Sequence, residues 1–305
     1  MFCYYSRYES GHRSEYMSFL ESEFSARRVG LISCIFEKSL VLFLMIEERP
    51  LLFFLICILR RLAGKKTAGL LFRVRPLIND DRLKYRVKRI LLSFLVRFNI
   101  GRVMSIVHES VEPGVKEFTS GSFMDFQFWD LRMDGSLFED NNEHTLDNCI
   151  ALIGRQDSEK GFDIAVGTIG RNEFHDYKVI LRGSVSAEFK SLIVNLPDGS
   201  DVVDSYVDET EIIDAYRRCS LVWCCYSPMY DQSSGVLGRS FQFGRTPIVR
   251  ADSISEVVCK YLGSPYVSLV LEGNEVVGCK HQSGTLLNSE DFINMKNEFI
   301  EVLFG

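Results

Sequence analysis

Apolar and polar positions follow two rhythms along this chain, and the second half reads most clearly. Cys149-Ile150-Ala151-Leu152-Ile153 is an unbroken apolar run closed by Gly154, the pattern of a buried strand. Phe162, Ala165, Val166 and Ile169 then recur at helical spacing until Gly170 stops them. Val179-Ile180-Leu181 predicts a strand, and Asp208-x-x-Glu211 predicts a helix start with Ile212, Tyr216 and Cys219 on one face. Residues 221–226 predict a strand, residues 235–243 a helix, and Pro247-Ile248-Val249 a strand again. Val257, Val258 and Tyr261 mark another helix. Residues 290–303 close the chain as an amphipathic helix with Phe292, Met295, Phe299 and Leu303 on one side. This alternation predicts a parallel sheet covered by helices on both faces.

The first half follows the same logic less sharply. Residues 2–5, 29–33, 68–72 and 103–107 predict strands, and Tyr16, Phe19 and Leu20 mark a helix. Residues 85–97 form a basic amphipathic helix. Residues 134–147 are acidic and polar and mark the expected boundary. The expected organisation is a first domain over 1–140, a second domain over 141–288, and a helix over 289–305 packing near the junction. With 305 residues and ~150 per domain, two domains fit the length.

The most apolar stretch, residues 40–59, is interrupted by Glu47-Glu48-Arg49-Pro50. A membrane span needs ~20 largely uninterrupted apolar residues, so a transmembrane helix is excluded here. Two readings remain: a pair of buried core elements, or a surface helix that docks on anionic lipid with Arg60, Arg61, Lys65 and Lys66.

Charge sharpens the second reading. Residues 1–110 carry 19 Lys and Arg against 10 Asp and Glu, whereas residues 111–305 carry 16 against 31. A basic first half favours an anionic partner. Nucleic acid is disfavoured, because the basic stretch lacks the interleaved aromatic residues that stack on single strands. The nine cysteines include no Cys-x-x-Cys, and no signal peptide is read at the start, which predicts reduced thiols in the cytoplasm. A composition of 46% hydrophobic and 25% charged residues excludes disordered and collagen-like chains.

In an open α/β sheet, ligands collect beyond the carboxyl ends of the strands. Three loops of the second half lie there. The first, Gly154-Arg155-Gln156-Asp157-Ser158-Glu159-Lys160-Gly161, brings Arg155 and Lys160 to the rim, where they suit an oxyanion. The second runs from Tyr226 through Asp231, Gln232, Ser233, Ser234, Gly235 and Val236, small residues that let helix-start N–H groups approach a phosphate. The acid Asp231 suits sugar hydroxyls. The third is the Asp208 to Glu211 turn, whose acids suit either helix capping or a ribose. Together they describe a pocket for a diphosphate bearing a sugar.

Gly-Arg-x4-Lys-Gly after a strand, then Tyr-Asp-Gln-Ser-Ser-Gly-Val-Leu before a helix, then Gly244-Arg245-Thr246-Pro247-Ile248-Val249, resembles the donor-binding half of a GT-B glycosyltransferase. The group resembled is the large retaining family, of the group 1 type, whose members often build bacterial polysaccharides. The resemblance covers residues 149–262. It implies an α/β fold of two Rossmann-like domains facing each other across a cleft. It also implies a metal-independent, cofactor-free transfer of a sugar from a nucleotide diphosphate to a glycan or lipid-linked acceptor. The protein would sit in the cytoplasm, peripheral to the inner face of the membrane. Arg155 and Lys160 match the family's basic pair on the diphosphate, Asp231 the first acid of its Glu-x7-Glu motif, and Ser234, Gly235 and Val236 the phosphate-holding loop. Arg155, Lys160 and Asp231 are thereby the expected catalytic residues, with Glu211, Gln232, Ser233 and Arg239 also at the donor.

Two positions depart from the pattern. Arg239 stands where the second acid is usual, and Arg73 where the family tends to place a histidine. Gly11, His12 and Arg73 are the acceptor-side candidates, and His12 and His108 are the alternative histidines. These departures keep a second reading open, a catalytically inactive relative that binds a nucleotide sugar or acts as a scaffold. No Asp-x-Asp or His-Glu-x-x-His metal motif occurs. Gly64-Lys65-Lys66-Thr67 ends like a P-loop, but Leu59 occupies the position of the required first glycine.

Overall fold

The computed structural model describes residues 2–8, 12–129, 148–230 and 234–305. It divides into two compact units, residues 1–126 with 294–305, and residues 127–293.

The first unit carries β1 (Cys3–Tyr5), α1 (His12–Phe24), β2 (Arg27–Arg28), α2 (Leu31–Phe36), β3 (Val41–Leu44), α3 (Pro50–Leu62) and β4 (Thr67–Leu71). It continues with α4 (Arg75–Asn79), α5 (Leu83–Arg97), β5 (Arg102–Ser105) and β6 (Gly121–Ser122). The strands form one parallel sheet in the order β2-β1-β3-β4-β5-β6. The expected strand at 29–33 is absent. Val29 makes the last ladder bond, from its N–H to Tyr4 O, and Gly30 then starts α2 by accepting from Cys34 N. The chain therefore turns one residue into that segment.

The apolar stretch at 40–59 resolves into one buried strand and one half-buried helix. β3 is buried throughout, and Pro50 stands in the first turn of α3, where its missing N–H is harmless. Phe53, Ile56, Cys57 and Arg60 face the core, while Leu51, Leu55, Leu59 and Leu62 are 50–82% exposed. No helix among the described residues is long and apolar enough to cross a membrane.

The second unit carries β7 (Cys149–Ile153), α6 (Phe162–Thr168), β8 (Lys178–Arg182), β9 (Asp201–Val203), α7 (Glu209–Arg218), β10 (Leu221–Cys224) and α8 (Gly235–Gln242). β11 (Thr246–Arg250), α9 (Ile254–Leu262), β12 (Tyr266–Glu272) and β13 (Glu275–Gln282) follow, then α10 (Ser289–Phe304). The sheet order is β13-β12-β11-β10-β7-β8-β9, parallel except for β13, which returns antiparallel on β12. Its core gathers Ile150, Leu152, Phe162, Val179, Trp223 and Ile248.

The division between units falls at 126/127, ahead of position 140, because the chain is already committed to the second unit there. Gln242 Nε2 donates to Gln127 O at 2.8 Å, and the Phe128 and Phe241 rings lie 5.8 Å apart. The acidic boundary segment at 134–147 lies outside the described residues. The end of α10 belongs to the first unit, where Phe299 packs on Phe24, Phe123 and Phe126 and Lys296 pairs with Glu23 at 2.9 Å.

Candidate functional site

In the second sheet the chain leaves β7 toward β8 on one side and β10 toward β11 on the other, so β7 and β10 flank the reversal of strand order. Crevices at such a reversal, beyond the carboxyl ends, are where ligands bind in open α/β sheets. The loops following β7 and β10 are two of the three that the sequence singles out, and the fold sets them side by side.

They are knitted together by backbone and ring contacts. Trp223 Nε1 donates to Lys160 O at 3.2 Å, and Ser227 N donates to Glu159 O at 3.0 Å. Gly161 has φ +66°, and a Cβ there would stand 2.5 Å from Cys225 O. Only glycine lets the β7 loop back this closely onto the end of β10.

Lys160 is half-buried, with its Nζ 4.1 Å from the Tyr226 ring centre and 5.2 Å from that of Tyr230. Loss of water lowers the pKa of this ammonium, opposed by neighbouring acidic groups. Arg155 is 72% exposed and pairs with Asp157, Nε to Oδ2 at 3.2 Å, while Asp157 Oδ1 accepts from Lys160 N at 3.1 Å. Asp157 thus fixes the loop that carries both cations.

The β10 loop supplies the second wall. Ser234 is buried at the N-cap of α8, yet its hydroxyl makes no capping bond and instead meets the Tyr226 hydroxyl at 2.8 Å. The serine is therefore spent on the loop, and among the described residues no side chain caps the first N–H groups of α8. Gly235 lies against Gln127, where an added Cβ would come within 2.9 Å of the side-chain amide carbon. Val236 O accepts from Tyr216 Oη at 3.2 Å. Asp231, Gln232 and Ser233 lie outside the described residues.

Other expected site residues have local partners. Glu211 completes a capping box with Asp208: Glu211 N donates to Asp208 Oδ1 at 3.0 Å and Asp208 N to Glu211 Oε2 at 3.3 Å. Of the two uses the sequence leaves open for this turn, capping is the one the geometry displays. Arg239, in α8, donates to Gln242 Oε1 at 3.2 Å and approaches Glu209 at 3.9 Å.

In the first unit, Gly11 lies outside the described residues, and His12 opens α1. His108 pairs with Glu298 at 3.0 Å. The backbone N–H groups of Phe72 and Arg73, just beyond β4, both donate to Glu47 Oε1, at 3.3 and 3.2 Å. Glu47 follows β3 at the same carboxyl edge. Its Oε2 is buried with no hydrogen-bond partner among the described residues, and burial pushes its carboxyl up to about 7. The sequence singles out neither Glu47 nor Gln127 for the site, and shows Tyr226 and Tyr230 only as members of the second loop, because their contacts depend on pairings between segments far apart in the chain.

A cavity of about 770 Å³ borders the same loops, lined by Ser158, Glu159, Ser227, Arg250 and Asp252. Arg155 and Lys160 are not part of its lining, so it is a space next to the cationic pair rather than around it.

No protein-family model matches the chain, and no curated protein matches its sequence. Solved structures do. HepE of Anabaena in complex with UDP and glucose superposes with a TM-score of 0.56 at 9% identity, over 99% of this chain and 92% of that one. HepE in complex with UDP gives 0.55 at 10% identity, over 98% and 89%. HepE in complex with UDP-glucose gives 0.53 at 11% identity, over the same shares. The fold is thus the α/β fold of GT-B type, with a parallel-sheet domain in each unit, expected from the sequence.

Proposed function

We propose that this chain is a glycosyltransferase that binds a nucleotide-diphosphate sugar beyond β7 and β10 and passes the sugar to a glycan or lipid-linked acceptor. The observation that carries this reading is the juxtaposition, at the strand-order reversal and across the Tyr226 ring, of Lys160 with the start of α8, whose N-cap serine makes no capping bond. One offers a mobile positive charge. The other offers the backbone N–H groups of a helix start and a partial charge of ~+0.5 from the helix dipole. Both suit pyrophosphate. That HepE, alike in fold at low identity, is described with UDP and with UDP-glucose supports the same ligand class.

The difficult step is departure of the nucleotide diphosphate as the sugar becomes cationic. An anion and a cation 4 Å apart are worth ~4 kcal/mol at an effective dielectric of 20. Lys160, Arg155 and the α8 terminus together offset most of the charge that develops on the leaving group, a role that asks for no metal ion. Asp231 takes the sugar hydroxyls, with Gln232 and Ser233 beside it, and Glu211 or Arg239 faces the nucleoside. Transfer proceeds with retention, in line with the family resembled. Acceptors are read by the first unit near Gly11, His12 and Arg73.

The first unit also supports peripheral attachment to an anionic membrane, as an enzyme of surface polysaccharide synthesis in the cytoplasm requires. Leu83, Val87, Ile90, Phe94 and Phe98 follow one exposed line along and just past α5, 41–75% exposed. They join the exposed leucines of α3, with the Phe54 and Phe94 rings 5.7 Å apart. Exposed Lys84 and Arg86 lie among them. The basic cluster read from the sequence needs correction: Arg60 is buried and donates to backbone carbonyls, and Lys65 donates to Ile35 O and Phe36 O.

A second reading, a non-catalytic binder, is favoured by Arg239 in the place of the family's second acid. Calorimetric titration with UDP, ADP and GDP and their hexose conjugates tests binding, and release of diphosphate tests turnover. Lys160→Ala and Arg155→Ala are each expected to lose at least about tenfold in affinity or turnover. Binding that both variants retain in full would dismiss the site. Binding without hydrolysis or transfer on any acceptor would favour the second reading.

A further inference from the structure

Away from the loops beyond β7 and β10, three side chains from distant parts of the sequence converge. Cys279 and His281 stand two residues apart on β13, so both point to one face of this edge strand. Glu173 reaches them from the 3₁₀ turn Asn172–Phe174 that follows α6. Its position is set from below, since the next residue, Phe174, is buried in the core of the unit.

His281 Nε2 is 3.1 Å from Glu173 Oε2 and 3.8 Å from Cys279 Sγ, and all three ligand atoms lie within 4.8 Å of one another. Zinc bonds of ~2.3 Å to sulfur and ~2.1 Å to nitrogen or oxygen, at the tetrahedral angle, require ligand separations of about 3.4–3.6 Å. The two measured separations bracket that range before any ion is present. A cavity of about 590 Å³, lined also by Ile164, Thr168 and Arg171, opens beside Glu173 and Cys279.

We propose that Glu173, Cys279 and His281 form a binding site for one divalent cation of the Zn²⁺ class. Thiolate, imidazole and carboxylate together select zinc over magnesium or calcium, which prefer oxygen ligands alone. The fourth position opens to the cavity, where water or a small anion beside Arg171 completes the tetrahedron. Binding releases one proton, from the Cys279 thiol, as the sulfur–metal bond forms. The ion would tie the β12–β13 hairpin to the turn after α6. The sequence predicted no metal site because Glu173 lies 106 residues before Cys279 and the set matches no spacing motif.

The test uses the full chain, freed of metal with a chelator and titrated with Zn²⁺ against a chromophoric competitor, then with Co²⁺ followed by absorption. One equivalent is expected to bind, and the Co²⁺ form to show a thiolate charge-transfer band. Loss of an outer-shell partner already weakens metal sites ~10–100-fold, so His281→Gln and Glu173→Gln should each weaken Zn²⁺ at least tenfold. Cys279→Ser should abolish the charge-transfer band. The two variants that keep the cysteine guard against a folding defect in Cys279→Ser. Zn²⁺ binding no tighter in the native chain than in the Cys279→Ser/His281→Gln double variant would overturn the proposal. So would a charge-transfer band that survives in Cys279→Ser.

Discussion

The ammonium of Lys160 rests 4.1 Å from the centre of the Tyr226 ring, and the hydroxyl of that same ring meets Ser234 Oγ at 2.8 Å. One aromatic side chain therefore positions both elements of the proposed pyrophosphate site, the cation of one loop and the helix start of the other. A cation over a desolvated ring is held by ~1–2 kcal/mol, enough to orient a flexible lysine without immobilising it. Tyr226→Phe keeps the ring and removes only the bond to Ser234, whereas Tyr226→Leu removes both. Affinity for UDP, by calorimetry, should fall a few-fold in the first and about tenfold in the second. Equal affinities in both variants and the native chain would mean the ring has no part in the site.

A second expectation concerns the packing behind α8. A Cβ at Gly238 would run into Gln127 O and stand 3.1 Å from Phe128 Cα, backbone that no side-chain rotation can clear. Overpacking of this kind costs ~1–3 kcal/mol, so Gly238→Ala should lower the unfolding midpoint in urea. Gly167, in α6, has nothing within 4 Å of an added Cβ, and Gly167→Ala should be neutral or stabilising by ~0.5–1 kcal/mol. Equal midpoints for the two variants would refute the argument.

The contrast between those glycines marks what the sequence displays and what it hides. Buried strands such as β7 and β10, and helices with caps or stop signals such as α6 and α7, are legible because the signal lies within a few residues. The Asp208 capping box is read directly. The β12–β13 hairpin is not, because Val276 and Val277 are adjacent and break the alternation of an edge strand. At the site, Arg155, Lys160 and Ser234 were visible as chemistry on loops. Tyr226, Gln127 and Glu47 act through contacts set by tertiary pairing, which no local pattern encodes. Arg60 shows the opposite case: one of the two readings of its stretch places it at a lipid surface, and the fold encloses it.

Arg60 gives the third expectation. Its Nε donates to Thr67 Oγ1 at 2.9 Å, its Nη1 to Cys34 O and to Glu37 O, and its Nη2 to Ser39 O and Lys66 O, both at 2.8 Å. All five donors are used, and desolvation lowers its pKa, opposed by nearby acidic groups. Arg60→Met would orphan the acceptors that join α2, β3 and β4, and should cost ~3–5 kcal/mol in urea unfolding. Arg60→Lys, with three donors, should lose roughly half of that. A loss under ~1 kcal/mol in both would show the network to be dispensable.

The exposed apolar lines of α3 and α5 give the fourth. Leu55→Asp combined with Ile90→Asp places charge on side chains that are 50% and 65% exposed, so folding should change little. Sedimentation with vesicles containing phosphatidylglycerol should drop at least tenfold, because apolar burial and attraction to the lipid are lost together. Binding by the native chain should also weaken with salt. Native-like sedimentation of the double variant would dismiss these helices as the proposed lipid-docking surface.

The last expectation is a pH dependence centred on Glu47. Its carboxyl is raised from 4.5 to about 7, chiefly by desolvation, with Glu48 adding to the rise and the N–H groups of Glu47, Phe72 and Arg73 opposing it. Lys88, on α5, donates to the Glu47 backbone carbonyl at 2.6 Å. An acid whose folded pKa lies above its unfolded value binds more protons when folded. Stability is therefore highest below about pH 4.5, declines as pH rises toward 7, and is level beyond, by up to ~3 kcal/mol. Other groups superimpose their own slopes, so the informative quantity is the difference between the native chain and Glu47→Gln. The amide keeps an oxygen for Phe72 N and Arg73 N and cannot ionise. Its stability advantage over the native chain in urea should be near its minimum at pH 5 and grow by ~1–3 kcal/mol by pH 8. A difference that stays constant from pH 5 to 8 would show that Glu47 titrates in the fold as it does in the unfolded chain.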